Sequence, residues 1–119
     1  YNDRLFVLTP RGDVHELPLG ATPIDFSYAV HTEIGNKAKG VLINNKIGRL
    51  DEILHNNDLV EIIIDKKQAG PDLAWLKFVK TSKAKAAIRQ YAHQSALVRL
   101  AKLQNLRDWW KQREQRKKG

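Results

Sequence analysis

Gly70-Pro71 divides the chain into two stretches built on different patterns, and this break constrains the fold more than any other feature. Before it, short apolar runs alternate with turn residues. After it, from Lys83 to about Lys117, there is neither Pro nor Gly, and good helix formers (Ala, Leu, Lys, Arg, Gln) dominate. Charge divides at the same place. Up to Gly70 there are 8 Lys/Arg and 10 Asp/Glu, a balance of −2; from Pro71 onward there are 13 and 3, a balance of +10, which together give the chain's +8. The basicity therefore belongs to the second half, the pattern of a compact domain carrying an arm for a polyanion.

At 119 residues the chain is long enough for one domain with an appendage, or for two very small domains. A strand-rich unit of about 65–70 residues is marginal by itself, so packing by the helices that follow helps it. The absence of Cys excludes disulfides, thiolate metal sites and cysteine catalysis, and fits a reducing compartment. No apolar run approaches the roughly 18 residues of a membrane span, and no signal-peptide pattern opens the chain, so no membrane partner and a cytoplasmic location are expected. A start at Tyr1 and a charged end are read as the limits of a piece of a longer protein.

Leu5 to Leu8 reads as a first strand. Thr9-Pro10-Arg11-Gly12 is a turn, with Pro fixing φ and Gly tolerating a positive φ, and Asp13 to Leu17 is the return strand. Thr22 as N-cap, Pro23 at the first helical position and Asp25 at the positive end of the dipole start a helix. It is expected to carry Phe26, Tyr28 and Val30 and to stop at Gly35 as a left-handed C-cap. Gly40 to Ile43 is a strand, Asn44-Asn45 a tight turn, Lys46 to Leu50 a short return strand, and His55 to Asp58 another turn. Leu59-Val-Glu-Ile-Ile-Ile64 is β-branched and nearly continuous, as expected of a central strand buried on both faces. Hairpin, helix, then two or three strands is an α+β order whose economical solution is one sheet with one packed helix. The expected fold is a five-stranded, ubiquitin-like β-grasp.

Past Gly70-Pro71, Asp72 caps a short helix with Trp75, Phe78 and Val79 on one side. Thr81 or Ser82 caps the next. Leu97, Leu100, Leu103 and Leu106 recur every three residues, a stripe that slips back roughly 60° per step and makes no coiled-coil seam. A bend, or two helices meeting near Gln94-Ser95, is expected.

No phosphate-binding loop, dinucleotide fingerprint, HExxH pair or nucleophile elbow is present, and no carboxylate pair has the marks of acid/base work. Histidines 15, 31, 55 and 93 lack metal-ligand spacing, and His15 and His55 read as ordinary surface residues. His31 has a distinctive address at the end of the helix, just before Thr32-Glu33-Ile34-Gly35. There an imidazole either caps carbonyls at the negative end of the dipole or reaches an unpaired base from a loop edge. Lys77, Lys80, Lys83, Lys85 and Arg89 lie three or four apart in several pairs, so a helix gathers some of them on one face. That face is either merely solvated or, given so few acidic neighbours, a nucleic-acid contact with steep salt dependence. Trp75 reads as core. Trp109 and Trp110 point about 100° apart, so one of them is expected to need a partner: another domain, another chain or RNA.

Taken in order, Val7-Leu-Thr-Pro-Arg-Gly-Asp13, Gly20-Ala-Thr-Pro-Ile-Asp-Phe-Ser-Tyr28, Val30-His-Thr-Glu-Ile-Gly35 and Leu59-Val-Glu-Ile62 resemble a TGS domain. The continuation through Trp75-Leu-Lys-Phe-Val-Lys-Thr-Ser82 to Ile88-Arg-Gln-Tyr91 resembles the regulatory half of RelA/SpoT-type enzymes, which make and degrade the alarmone (p)ppGpp. TGS domains also occur in threonyl-tRNA synthetases and some GTPases, without that continuation. The resemblance covers roughly residues 4 to 91; from Ala92 onward only basic, helix-forming character remains. It implies a TGS β-grasp over 1–68 and a helical regulatory segment over 69–119. The hydrolase and synthetase domains that precede TGS in the family are not in this piece, so it is expected to have neither activity, and no cofactor or metal.

The resemblance further implies a sensor of deacylated tRNA on the stalled ribosome, with the TGS domain embracing the CCA 3′ end and the helices following the acceptor arm. The motif histidine that contacts the CCA end falls on His31, with Thr32 beside it. Lys77, Lys80, Lys83, Lys85 and Arg89 fall where RNA phosphates would lie, an assignment that rests mainly on charge. The competing expectation is a protein-interaction module that binds acyl carrier protein or the enzyme's own catalytic half.

Overall fold

Arg4–Leu8 (β1) and Val14–Pro18 (β2) form an antiparallel hairpin whose register runs from Arg4 opposite Pro18 to Leu8 opposite Val14. Alternation buries Leu5 and Val7 and turns Arg4 and Phe6 outward, as a period of two requires. The hairpin turn closes through Gly12 N–H donating to Thr9 O at 2.9 Å, with Gly12 at φ 93°, a conformation that favours glycine. This computed structural model describes the backbone of residues 3–118 and the side chains of residues 3–112.

Pro23–Val30 (α1) and Thr32–Asn36 (α2) follow, then Ala38–Ile43 (β3), Lys46–Gly48 (β4) and Val60–Ile64 (β5). The last three pair antiparallel in the order β4-β3-β5. A parallel bridge between Leu8 and Leu59 joins the hairpin to β5, supported by Leu8 N–H to Asp58 O at 2.8 Å and Asn57 N–H to Phe6 O at 2.7 Å. The α+β, β-grasp-like arrangement expected from the element order is the one observed. Between β3 and β4, Asn44 and Asn45 both adopt positive φ (54° and 66°), the geometry of a tight hairpin turn.

α1 is buried on both sides. Phe26 enters a core with Leu5, Val7, Leu17, Val41 and Val60. Ile24 and Tyr28, four residues apart on the opposite face, enter a second core with Ala38, Trp75, Val79, Ala84 and Ile88. That second core is supplied largely by the segment after Gly70: a 3₁₀ turn, Leu73–Lys77, capped by Asp72, and the first turns of Ser82–Lys118 (α3). Each fully buried aliphatic side chain contributes about 1.5–3 kcal/mol, so this segment is part of what holds α1 in place. Gln68 adds a polar tie, donating through Nε2 to the carbonyls of Asn36, Ala38 and Gly70 at 3.0–3.2 Å.

The chain divides into two compact units, the first ending at Arg89 and the second beginning at Gln90. Within the second, Leu97, Val98, Leu100, Leu103 and Leu106 are about half exposed on α3. Trp109 and Trp110 meet edge to face at 5.2 Å and 78°, each still about half exposed.

Four expectations need correction. The first helix does not continue to Gly35: it ends at His31, whose extended backbone (φ −166°, ψ 144°) separates α1 from α2. Gly35 sits inside α2 because a Cβ there would collide with the Tyr28 ring, so the glycine serves close packing and not a left-handed cap. β5 is not buried on both faces; Glu61, Ile63 and Ile64 are exposed. Finally, two helices do not meet near Gln94-Ser95: α3 runs through both as one helix, with no Pro or Gly there to interrupt it.

Candidate nucleic-acid interface

His31 terminates one helix and begins the next. Its backbone N–H donates to Ser27 O, closing α1, and its Nδ1 accepts the Glu33 backbone N–H at 3.1 Å, capping α2. An imidazole thus takes the place that Ser, Asp or Asn usually occupies at an N-cap. The expected capping role is real but opposite in sign: the ring nitrogen accepts an amide proton and does not donate to carbonyls. His31, Thr32 and Glu33 are all exposed.

The corner is held from below. Tyr28 is fully buried, donates its hydroxyl to Asn36 Oδ1 at 2.8 Å and lies against Gly35. Burial pushes its ionisation well above the usual tyrosine value. Val30 and Ile34, which bracket the His31-Thr32-Glu33 corner in sequence, line an apolar groove of about 310 Å³ together with Pro10, Phe26, Ile62 and Ile64. Nothing in the sequence pattern announced this groove, because its walls come from a turn, two helices and a strand.

The segment that carries the basic residues is tied to the other end of α1. Asp25 is fully buried and accepts from the backbone N–H groups of Lys80 and Thr81 at 2.9–3.0 Å and from Thr81 Oγ1 at 3.0 Å. It also forms a capping box with Thr22, whose N–H donates to it at 2.9 Å. Thr81 in turn caps α3, accepting the Ala84 N–H at 3.1 Å. Six helical rises separate Asp25 from His31, on the order of 9 Å, so α1 is a rigid spacer between the two parts. The Thr-x-x-Asp spacing of the capping box is visible in the sequence, whereas the partner of Asp25 at Lys80, 55 residues away, is a product of the fold.

Lys77, Lys80, Lys83 and Arg89 are exposed and Lys85 is half-buried. The aliphatic stem of Lys80 lies along Gly20, where a Cβ would come within 3.4 Å of its Cε. On α3, Ala84 and Ile88 face the core, Lys85 and Arg89 flank them on one side and Lys83 on the other, so the structure groups only some of the five. Among the described residues none of the five enters an ion pair. No acidic residue occupies the first turn of α3, and Lys83 there opposes the helix dipole, a cost of about 0.3–1 kcal/mol that a bound anion would offset.

His15 is not a plain surface residue: its ring meets Phe26 edge-on at 5.3 Å. His55 Nδ1 lies 3.9 Å from Asp58. Among the described residues no group of three or more His, Asp or Glu is placed to hold a metal ion, and no helix is long and apolar enough to cross a membrane.

The family model of the TGS domain matches residues 5–64, half of the chain and all five strands. This chain belongs to the TGS domain family. It is 46% identical over 94 residues to a GTP pyrophosphokinase of Myxococcus xanthus, covering 79% of this chain and 12% of that one. It is 46% identical over 88 residues to the bifunctional (p)ppGpp synthase/hydrolase RelA of Mycobacterium tuberculosis, covering 73% and 12%. With the guanosine-3′,5′-bis(diphosphate) 3′-pyrophosphohydrolase of Haemophilus influenzae it shares 46% over 90 residues, covering 76% and 13%.

Only four residues precede the TGS match, so an alignment of 88 residues carries the similarity past Ile64 and into the segment that completes the second core. The RelA/SpoT-type character seen in the residues after Gly70 is therefore shared with these relatives. The chain spans about an eighth of the length of each.

Proposed function

We propose that this TGS chain is a regulatory module of a (p)ppGpp synthetase, hydrolase or bifunctional enzyme. In this reading it senses deacylated tRNA on the ribosome by gripping the CCA 3′ end and controls the catalytic domains in response. The observation that carries it is His31: an exposed imidazole, locked by its own backbone cap at the end of a buried helix, whose other end accepts the backbone N–H of Lys80. A single-stranded 3′ end offers unstacked bases to such a ring and phosphates to the lysines. An aminoacyl ester adds bulk and charge at the terminus, which gives a steric basis for rejecting charged tRNA.

The test is a titration against deacylated and aminoacylated tRNA over a salt series, free and ribosome-bound. Preference for the deacylated form that depends on His31 and on an intact CCA supports the reading. Equal affinity for both forms in the ribosome-bound assay overturns it.

The apolar groove beside the corner favours a second reading, docking of a protein such as acyl carrier protein or the enzyme's own catalytic half. Capture that survives nuclease treatment distinguishes it, because a protein partner does not depend on RNA.

A further inference from the structure

The cap at His31 has a chemical consequence for what the site can read. The Glu33 backbone N–H can only donate, so the His31 Nδ1 it meets at 3.1 Å must present a lone pair. A neutral imidazole with an unprotonated Nδ1 carries its proton on Nε2. The backbone conformation makes this arrangement intrinsic: at φ −166° and ψ 144° His31 stands as an N-cap, and Gly35 N–H donates back to its carbonyl at 3.2 Å. Among the described residues Nε2 takes no hydrogen bond, and the residue is exposed.

Resting on the reading of His31 as an RNA contact, we infer that the Glu33 amide fixes His31 as a donor-only contact whose partner is a ring nitrogen, cytosine N3 or adenine N1, of an unpaired base at the CCA end. Cytosine N3 and adenine N1 are bare acceptors; uracil N3 and guanine N1 carry protons, and those bases offer a donor only their exocyclic carbonyl oxygens. A C-C-A terminus is composed entirely of bases whose edge nitrogen accepts. His31 is then a base-contacting residue that needs an acceptor at the nucleotide it touches. Glu33 acts through its backbone alone, as a positioning residue.

The experiment uses the 119-residue chain labelled with ¹⁵N at histidine, with an acceptor-stem RNA hairpin ending in unpaired CCA. The nitrogen spectrum of His31 is expected to show a bare Nδ1 and a protonated Nε2 before RNA is added. Hairpins carrying 3-deazacytidine or 1-deazaadenosine, which replace the edge nitrogen with C–H, are then compared singly. One of them is expected to bind roughly tenfold or more weakly to the wild-type chain, the loss of one base-edge hydrogen bond. His31→Ser keeps an N-cap acceptor for Glu33 but is too short to reach the base, so it binds all hairpins equally and weakly while folding normally. A spectrum with the proton on Nδ1 overturns the inference whatever the binding shows. Equal binding of the deaza hairpins by a chain that still prefers deacylated tRNA overturns the acceptor rule and leaves tRNA sensing standing. Binding indifferent to the CCA end removes the functional reading and this one together.

Discussion

Asp25 and Thr81, 56 residues apart, are joined by two hydrogen bonds to one carboxylate oxygen, 2.9 Å from the Thr81 backbone nitrogen and 3.0 Å from its hydroxyl. The carboxylate lies at the start of α1 and the threonine caps α3, so one buried contact fixes where the basic helix leaves the β-grasp.

Removing either partner leaves buried donors unmet. Asp25→Asn retains one acceptor but points an NH₂ at amides that also donate, and is expected to cost about 2–4 kcal/mol; Thr81→Val, which also removes a cap, about 1–2 kcal/mol. Because the two share bonds, the double variant should cost less than the sum by about 1 kcal/mol or more in urea denaturation. Strict additivity would show that the contact does not couple the two elements.

Gly35→Ala tests the close approach under the His31 corner. Alanine ordinarily improves a helix by about 1 kcal/mol over glycine, yet here the added methyl meets the Tyr28 ring. Destabilisation of about 1–3 kcal/mol is expected, the usual cost of overpacking, with a disturbed His31 signal in NMR spectra. A stabilised protein would mean that the ring moves aside freely.

The contrast between these two sites explains what the sequence made legible. Local rules worked where the physics is local: Thr22-Pro23-x-Asp25 opened a helix, Gly12 closed a hairpin, and Asn44-Asn45 made a tight turn. They failed where a distant group decides. Gly35 read as a stop signal because its neighbour Tyr28 comes within reach only through the break at His31. Ile63 and Ile64 read as core because β-branched runs usually are, although β5 leaves them half-covered. His31 was picked out by its address and by family resemblance; which nitrogen it commits to a cap depends on the fold of the following residue.

The Asn44-Asn45 turn separates backbone from side-chain roles. Both residues have positive φ, but Asn44 also accepts the Leu59 N–H at 3.0 Å and donates to Asp58 at 3.0 Å. Asn45→Gly is therefore expected to be neutral or stabilising by up to about 0.5 kcal/mol. Asn44→Gly should cost about 1–2 kcal/mol, since it frees the loop that leads into β5. Thermal melts of the two variants, falling on opposite sides of wild type, would check this.

If the exposed cations meet phosphates, their removal should change the salt dependence of RNA binding more than its sequence preference. Lys80→Ala and Arg89→Ala are each expected to reduce the slope of log K against log salt by about 1, with the CCA preference retained. His31→Ser should do the reverse, lowering CCA preference at an unchanged slope. A titration at four or five salt concentrations separates the two classes of contact.

Tyr28 gives the fold an alkaline limit. Its buried hydroxyl stays protonated in the folded chain well beyond the usual value of 10.0, because burial disfavours the phenolate. Below that usual value the residue is neutral in both folded and unfolded states and contributes no pH dependence. Above it the unfolded chain loses the proton while the folded chain keeps it, so stability falls as pH rises, by up to about 1.4 kcal/mol per unit from this residue. Tyr28→Phe loses the hydrogen bond to Asn36 and should be less stable at neutral pH by about 1 kcal/mol. Its stability should nevertheless decline less steeply above pH 10, so the wild-type and variant curves converge. Parallel curves in urea denaturation from pH 8 to 11 would place the alkaline limit in other groups.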